Sequence, residues 1–356
     1  MVRRVRKKKT GIRRFVALLL MFGIAAFVYK SIVIPGYQHI FENEYDNKTS
    51  SYSSLKITPD SFEDGTAPVP PGGRHLFSLS AIAKQGPGRE LDPYVSISPD
   101  KLNSPNVILV RLKDHAILMQ KNSEEKIYPA SLTKMMTAIV AIEKLPDLKE
   151  EIKLTNAMFQ GLYQADASMA GFQPGEQVRA IDLLYGVMLP SGAECCIALA
   201  DRIAGSEQNF VKIMNQRAAD LGMDNTHFEN ATGLHSDNHY TTVKDLAILL
   251  SYALQNDTFR EIFTSSRHST PPTNNHPGGI TFHSTMFEDL NKQNITGGEI
   301  LGGKTGYTSE AGLCLASLAQ VGKQEYILIS AGAKGDPLSE QYNITDALAV
   351  YNSLGK

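Results

Sequence analysis

Hydrophobic positions fall into three regimes along the 356-residue chain. Residues 15–29 form an uncharged, almost wholly apolar run, and residues 31–34 continue it beyond Lys30. Lys30 can snorkel to the headgroups, so residues 15–34 supply about the ~20 positions that cross ~30 Å of hydrocarbon. Residues 35–92 show no sustained period. They are polar and rich in Pro and Gly, as in Ala67-Pro68-Val69-Pro70-Pro71-Gly72-Gly73, and read as a flexible stalk with a short helix near 76–84. Such a coil would hold whatever follows on the order of 40 Å from a bilayer.

Periodicity returns at about residue 93. Residues 107–112 and 116–120 are apolar runs flanking Lys113-Asp114-His115, a β-hairpin pattern. Residues 131–144 predict a helix, with Met135, Met136, Ile139, Val140 and Ile142 at near-helical spacing. Further helices are expected over about 178–189, 193–204, 206–221 and 242–254. After a polar, Pro-rich stretch at 265–279, apolar runs at 313–320 and 325–331 read as strands, and 338–354 closes as an amphipathic helix. This order predicts an α+β domain over 93–356. An antiparallel sheet built from both ends is flanked by helices, with an all-helical subdomain inserted between.

Composition adds little to that picture, whereas charge adds an address. With 42% hydrophobic and 20% charged residues, a wholly disordered or multi-span membrane chain is excluded. The net charge of -2 hides an asymmetry: residues 1–14 carry eight basic side chains and no acid, leaving -10 on the remainder. A basic tail directly before an apolar helix predicts a cytoplasmic N-terminus, with everything from residue 35 outside. Nucleic-acid binding by the tail is the weaker reading beside that helix. A cleaved signal peptide is the rival for so short a run, but Tyr29-Lys30-Ser31-Ile32 offers no small-x-small cleavage site. The three cysteines, Cys195, Cys196 and Cys314, are too sparse for a disulfide framework and read as buried thiols rather than a regulatory bridge.

Three short motifs carry candidate chemistry. Ser131-Leu132-Thr133-Lys134 opens the apolar helix, and i, i+3 spacing puts Ser131 and Lys134 on one face. A desolvated lysine can serve as the base that activates a serine. The pattern recurs at Ser53/Lys56, Ser98/Lys101, Ser123/Lys126 and Ser353/Lys356, so only the helix start selects Ser131. Ser191-Gly192-Ala193-Glu194 reads locally as a capping box. Lys304-Thr305-Gly306 ends a stretch from Gly298 that satisfies the P-loop pattern, but Gly306 interrupts the helix a P-loop requires. His235 and His239 lack the glutamate of H-E-x-x-H and read as a polar loop, so no metal is expected.

Taken in order, Ser131-x-x-Lys134, Ser191-Gly192-Ala193 and Lys304-Thr305-Gly306 resemble the three motifs of the penicillin-recognising serine enzymes. The segments Tyr128–Ala138, Gln173–Glu176, Asp182–Ser191 and Phe228–Leu234 narrow the resemblance to the serine D-Ala-D-Ala carboxypeptidases, the low-molecular-weight penicillin-binding proteins. It runs from about residue 93 to about 335. It implies the serine β-lactamase-like fold and cleavage of peptidoglycan stem peptides ending in D-Ala-D-Ala, with β-lactams as inhibitors and no cofactor. By resemblance, Ser131 is the acylated nucleophile, Lys134 its base and Ser191 the proton relay. Lys304 and Thr305 would bind the substrate carboxylate, and Lys304 would keep Lys134 neutral by repulsion. Gly306 would let the strand approach the substrate, and the N–H groups of Ser131 and Tyr307 would form the oxyanion hole.

One position departs from that family. Its second motif usually reads Ser-x-Asn, and Ala193 cannot supply the amide's hydrogen bonds, a loss of roughly 1–3 kcal/mol. A catalytically weak peptidoglycan-binding or regulatory homologue is therefore the alternative expectation, with Glu194 either substituting for the amide or capping its helix. A β-lactamase is disfavoured, because no E-x-x-L-N element lies between Ser191 and Lys304. The C-terminal β domain and membrane helix frequent in the family find no counterpart before Lys356, so the N-terminal helix is expected to anchor the protein.

Overall fold

The expected hairpin forms the inner edge of the fold. In a computed structural model that describes residues 95–290 and 293–354, β1 (Asn106–Arg111) and β2 (Ala116–Lys121) pair antiparallel. The tail, the anchor, the stalk and the short helix expected near 76–84 lie outside the described residues. Strand β1 also pairs with a strand more than two hundred residues away, β10 (Gln324–Ala333). The sheet continues through β9 (Gly312–Val321) and β8 (Gly298–Thr308) to the short β7 (Asn294–Ile295). Its order is β2-β1-β10-β9-β8-β7, antiparallel throughout, so both ends of the domain build one sheet as expected.

Covering both faces explains why β1 is a continuous apolar run rather than an alternating one. Val107 and Leu109 pack on one side with Val350 and Tyr351 of the closing helix, whereas Ile108 and Val110 face the helical block. That block consists of α1 (Thr133–Lys144), α2 (Ala180–Met188), α3 (Ala193–Ala204), α4 (Glu207–Asp220), α5 (Val243–Ala253) and α6 (Asp257–Thr264). Every residue of α1 from Thr133 to Ala141 is buried, so α1 is the hub of the block rather than a helix with one apolar face. Side-chain caps from Ser206, Thr242 and Asn256 start α4, α5 and α6. A short α7 (Thr285–Asp289) leads towards the sheet edge, and α8 (Tyr342–Ser353) closes the domain.

Two expectations need correction. The insertion is not all-helical: β3 (Glu151–Lys153) pairs with β4 (Gln177–Arg179), and β5 (Arg267–Ser269) with β6 (Thr281–His283). Strands of three residues leave no readable period, so β5 sits unseen inside the polar stretch. The closing helix starts at Tyr342, not residue 338, because Asp336 and Ser339 lock a turn ahead of it and leave Leu338 exposed. The glycine-rich segment at 298–308 is a long internal strand, in line with the strand that the resemblance implies at Gly306. The cysteines meet expectation: all three are free and buried.

Candidate active site

Ser131 does not sit in regular helix. It lies in a tight 3-10 turn, Ala130–Leu132, whose first residue is held at φ 46°, a left-handed conformation that alanine seldom adopts. The turn places Ser131 Oγ 3.0 Å from Lys134 Nζ, one helical turn on. Lys134 is fully within the protein and donates a second bond to the Thr232 carbonyl at 2.6 Å. Burial lowers its pKa, while Cys196, Glu194 and Cys195 act in the opposite direction. A lysine in this setting loses its proton at a lower pH than a solvated lysine would.

Ser191 meets Ser131 from the other side, donating to its Oγ at 3.0 Å. The capping box is therefore absent. The residue that caps α3 is Gly192, with no side-chain bond, and Ser191 stands at φ 65° facing the cleft. Nor does Glu194 replace the missing amide: its Oε1 accepts from the backbone N–H groups of Ala170 at 2.7 Å and Gly171 at 2.9 Å. Both alternatives for Glu194 give way to a third role, fastening the 165–171 segment that walls the cleft.

Lys304 is buried on β8 and donates to the carbonyl of Thr305 at 2.8 Å. Burial pushes its pKa well below the lysine range, and the neighbouring Lys134 charge adds to this. For Lys134 too, burial leads. Gly306 also sits directly against the Ser131 turn. A Cβ on it would lie 3.1 Å from the Ser131 nitrogen and 3.3 Å from that of Leu132, so glycine here admits the nucleophile's own turn. Tyr307 follows at the mouth, partly exposed.

One cavity of about 330 Å³ is bordered by Ser131, Lys134, Ala193, Thr232, His235 and Tyr307, whereas Ser191, Lys304, Thr305 and Gly306 are not part of its lining. A model of the D-alanyl-D-alanine carboxypeptidase family matches residues 94–335. The chain belongs to that family. It is 33% identical to D-alanyl-D-alanine carboxypeptidase DacF of Bacillus subtilis (strain 168) over 72% of this chain and 62% of that protein. It is equally 33% identical to D-alanyl-D-alanine carboxypeptidase DacC of Escherichia coli (strain K12), over 68% of this chain and 60% of the relative. The chain thus spans less than two thirds of the length of these curated relatives. The crystal structure of the Streptomyces K15 DD-transpeptidase matches with a TM-score of 0.64 at 26% identity, covering 72% of this chain and 98% of that one.

Within this carboxypeptidase family fold, several supporting residues escaped sequence reasoning. Asn230 holds the loop that presents the Thr232 carbonyl, its Oδ1 accepting from the N–H groups of Thr232 at 3.1 Å and Gly233 at 2.7 Å. His239 bonds Thr133 Oγ1 at 2.8 Å and accepts from the Glu229 N–H at 3.1 Å. Burial, with the charges of His227 and His235, pushes its pKa down to about 4, which keeps it neutral and structural. Only the Asn-Ala-Thr-Gly turn at 230–233 offered a local signal for any of these. Among the described residues no cluster of three or more His, Cys, Asp or Glu could hold a metal. The P-loop pattern lies along β8, a paired strand unable to wrap a phosphate.

Ala193 is buried and borders the cavity, its own N–H donating to Ser168 O at 2.8 Å. Lys134 is nevertheless held at two points, by Ser131 Oγ and Thr232 O. Lys134 is held in place without an asparagine.

Proposed function

We propose that this chain is an active serine D-Ala-D-Ala carboxypeptidase that trims peptidoglycan stem peptides through an acyl-Ser131 intermediate. The observation that carries the reading is the position of Ser131 Oγ, 3.0 Å from both Lys134 Nζ and Ser191 Oγ. Neutral Lys134 takes the Ser131 proton as Oγ attacks the carbonyl of the penultimate D-Ala. The oxyanion forms against the N–H groups of Ser131 and Tyr307. Ser191 passes a proton to the departing D-Ala amine, and water then releases the shortened peptide. Lys304 and Thr305 receive the terminal carboxylate, whose negative charge favours the charged form of the buried Lys304. β-Lactams present a similar carboxylate and acyl group to the same residues and inhibit by acylating Ser131.

The same proposal has an address. Residues 15–34 anchor the chain in the cell membrane, the basic residues 1–14 stay in the cytoplasm, and residues 35–92 carry the domain at 93–356 to the cell-wall side. Protease added to intact spheroplasts would remove the domain; full protection would contradict this topology. For the chemistry, D-Ala released from a defined pentapeptide should be lost in Ser131→Ala. Equal release by both proteins would remove the assignment.

A further inference from the structure

Thr285 stands at the start of α7 and bridges the Leu189 backbone ahead of Ser191 to Thr305 on β8. Its backbone N–H donates to the carbonyl of Leu189, two residues before Ser191. Its side-chain hydroxyl lies 2.6 Å from that of Thr305. The next residue, Met286, packs where a Cβ on Gly303 would stand, so glycine at 303 is what lets α7 come this close to β8. Nothing in the local sequence marks this contact, which joins residues twenty apart across an element boundary.

We propose that Thr285 is a positioning residue that sets the direction of the Thr305 hydroxyl proton, and thereby the enzyme's preference for a free terminal carboxylate. This rests on the reading that Thr305 binds that carboxylate. A hydroxyl has one proton to give and two lone pairs to accept with. If Thr305 donated to Thr285, it would turn lone pairs towards an anionic substrate, and the contact would repel. With Thr285 donating, the Thr305 proton is free to point into the cleft at the carboxylate. The pair then works as a short relay of hydrogen bonds ending on the anion, each polarising the next. Lys304 supplies charge at this end of the site, while Thr285 supplies direction.

Because the bond to Leu189 uses the backbone, Thr285→Val removes only the hydroxyl and keeps shape and tether. The test compares acylation by benzylpenicillin, which carries the carboxylate, with acylation by its methyl ester, which does not. Rates are followed by intact mass for wild type, Thr285→Val and Thr285→Ser. The expected result is an about tenfold slower reaction of Thr285→Val with the free acid, an unchanged rate with the ester, and recovery in Thr285→Ser. Equal slowing towards both forms would reduce Thr285 to a structural part and overturn the inference, as would no change at all. A wild type unreactive towards both would instead overturn the reading of the site itself.

Discussion

Ser191 Oγ donates to Ser131 Oγ at 3.0 Å from a backbone held at φ 65°. A non-glycine residue in that conformation is strained, and such strain persists only where the surroundings over-determine it. Here the surroundings are Gly192, whose N–H bonds Gly186 O at 2.8 Å, and Ala193, bonded to Ser168 O at 2.8 Å. The strain is what turns a residue that would cap a helix towards a nucleophile.

The vacant amide position should be improvable. Ala193→Asn would place a donor and an acceptor beside Lys134 in the cavity, restoring an interaction of roughly 1–3 kcal/mol. D-Ala release from a pentapeptide is expected to rise by about tenfold. No change, or a fall, would mean that Thr232 O already does what the asparagine does elsewhere in the family.

Acylation of Ser131 should rise with pH through the lowered pKa of Lys134, because only the neutral amine can take the serine proton. The rising limb of the rate with penicillin is therefore expected below the free-lysine value of about 10.4. A limb at or above that value would show Lys134 to be an ordinary charged lysine.

Lys304→Met should separate stability from function. The folded pKa of Lys304 lies below its unfolded value, so folding must strip a proton or bury a charge. That cost is absent above about pH 10.4 and grows as pH falls towards the folded pKa. The substitution should stabilise the protein at pH 7 by about 1–4 kcal/mol, with the gain shrinking towards pH 10. Acylation by penicillin should meanwhile drop sharply. Destabilisation at pH 7 in thermal unfolding would contradict the repulsive pair.

Gly306→Ala should act on the nucleophile rather than on substrate fit. Its Cβ would crowd the Ser131 and Leu132 nitrogens, and a displacement of that turn should lower acylation by about a hundredfold. Circular dichroism should stay native. Unchanged acylation would show that the turn has room to give.

Much of this was legible in the chain. The hairpin, α1 and the two apolar strands follow from long hydrophobic runs, and the first two motifs located side chains that the fold brings together at Ser131. What stayed hidden has a common physical cause. Strand β8 carries Gly302, Gly303 and Gly306 where a strand would hold branched residues, because α6, Met286 and the Ser131 turn press against it. The β5–β6 pair is too short for a period to show, whereas α6 does carry a helical i, i+3, i+4 spacing in Phe259, Ile262 and Phe263. Ser191 and Glu194 fit a local cap perfectly well, and only contacts with Ser131 and with Ala170 override it. His239 and Thr285 act through partners distant in sequence or across element boundaries, for which no local pattern exists.

The central claim is that Ser131 attacks with Lys134 as its base. Incubation with benzylpenicillin followed by intact mass and peptide mapping tests it most directly. One adduct on the peptide holding Ser131 is predicted for the wild type, none for Ser131→Ala, and a rate lowered by several powers of ten for Lys134→Met. An adduct of the same yield in Ser131→Ala, or one mapped to another residue, would contradict the account.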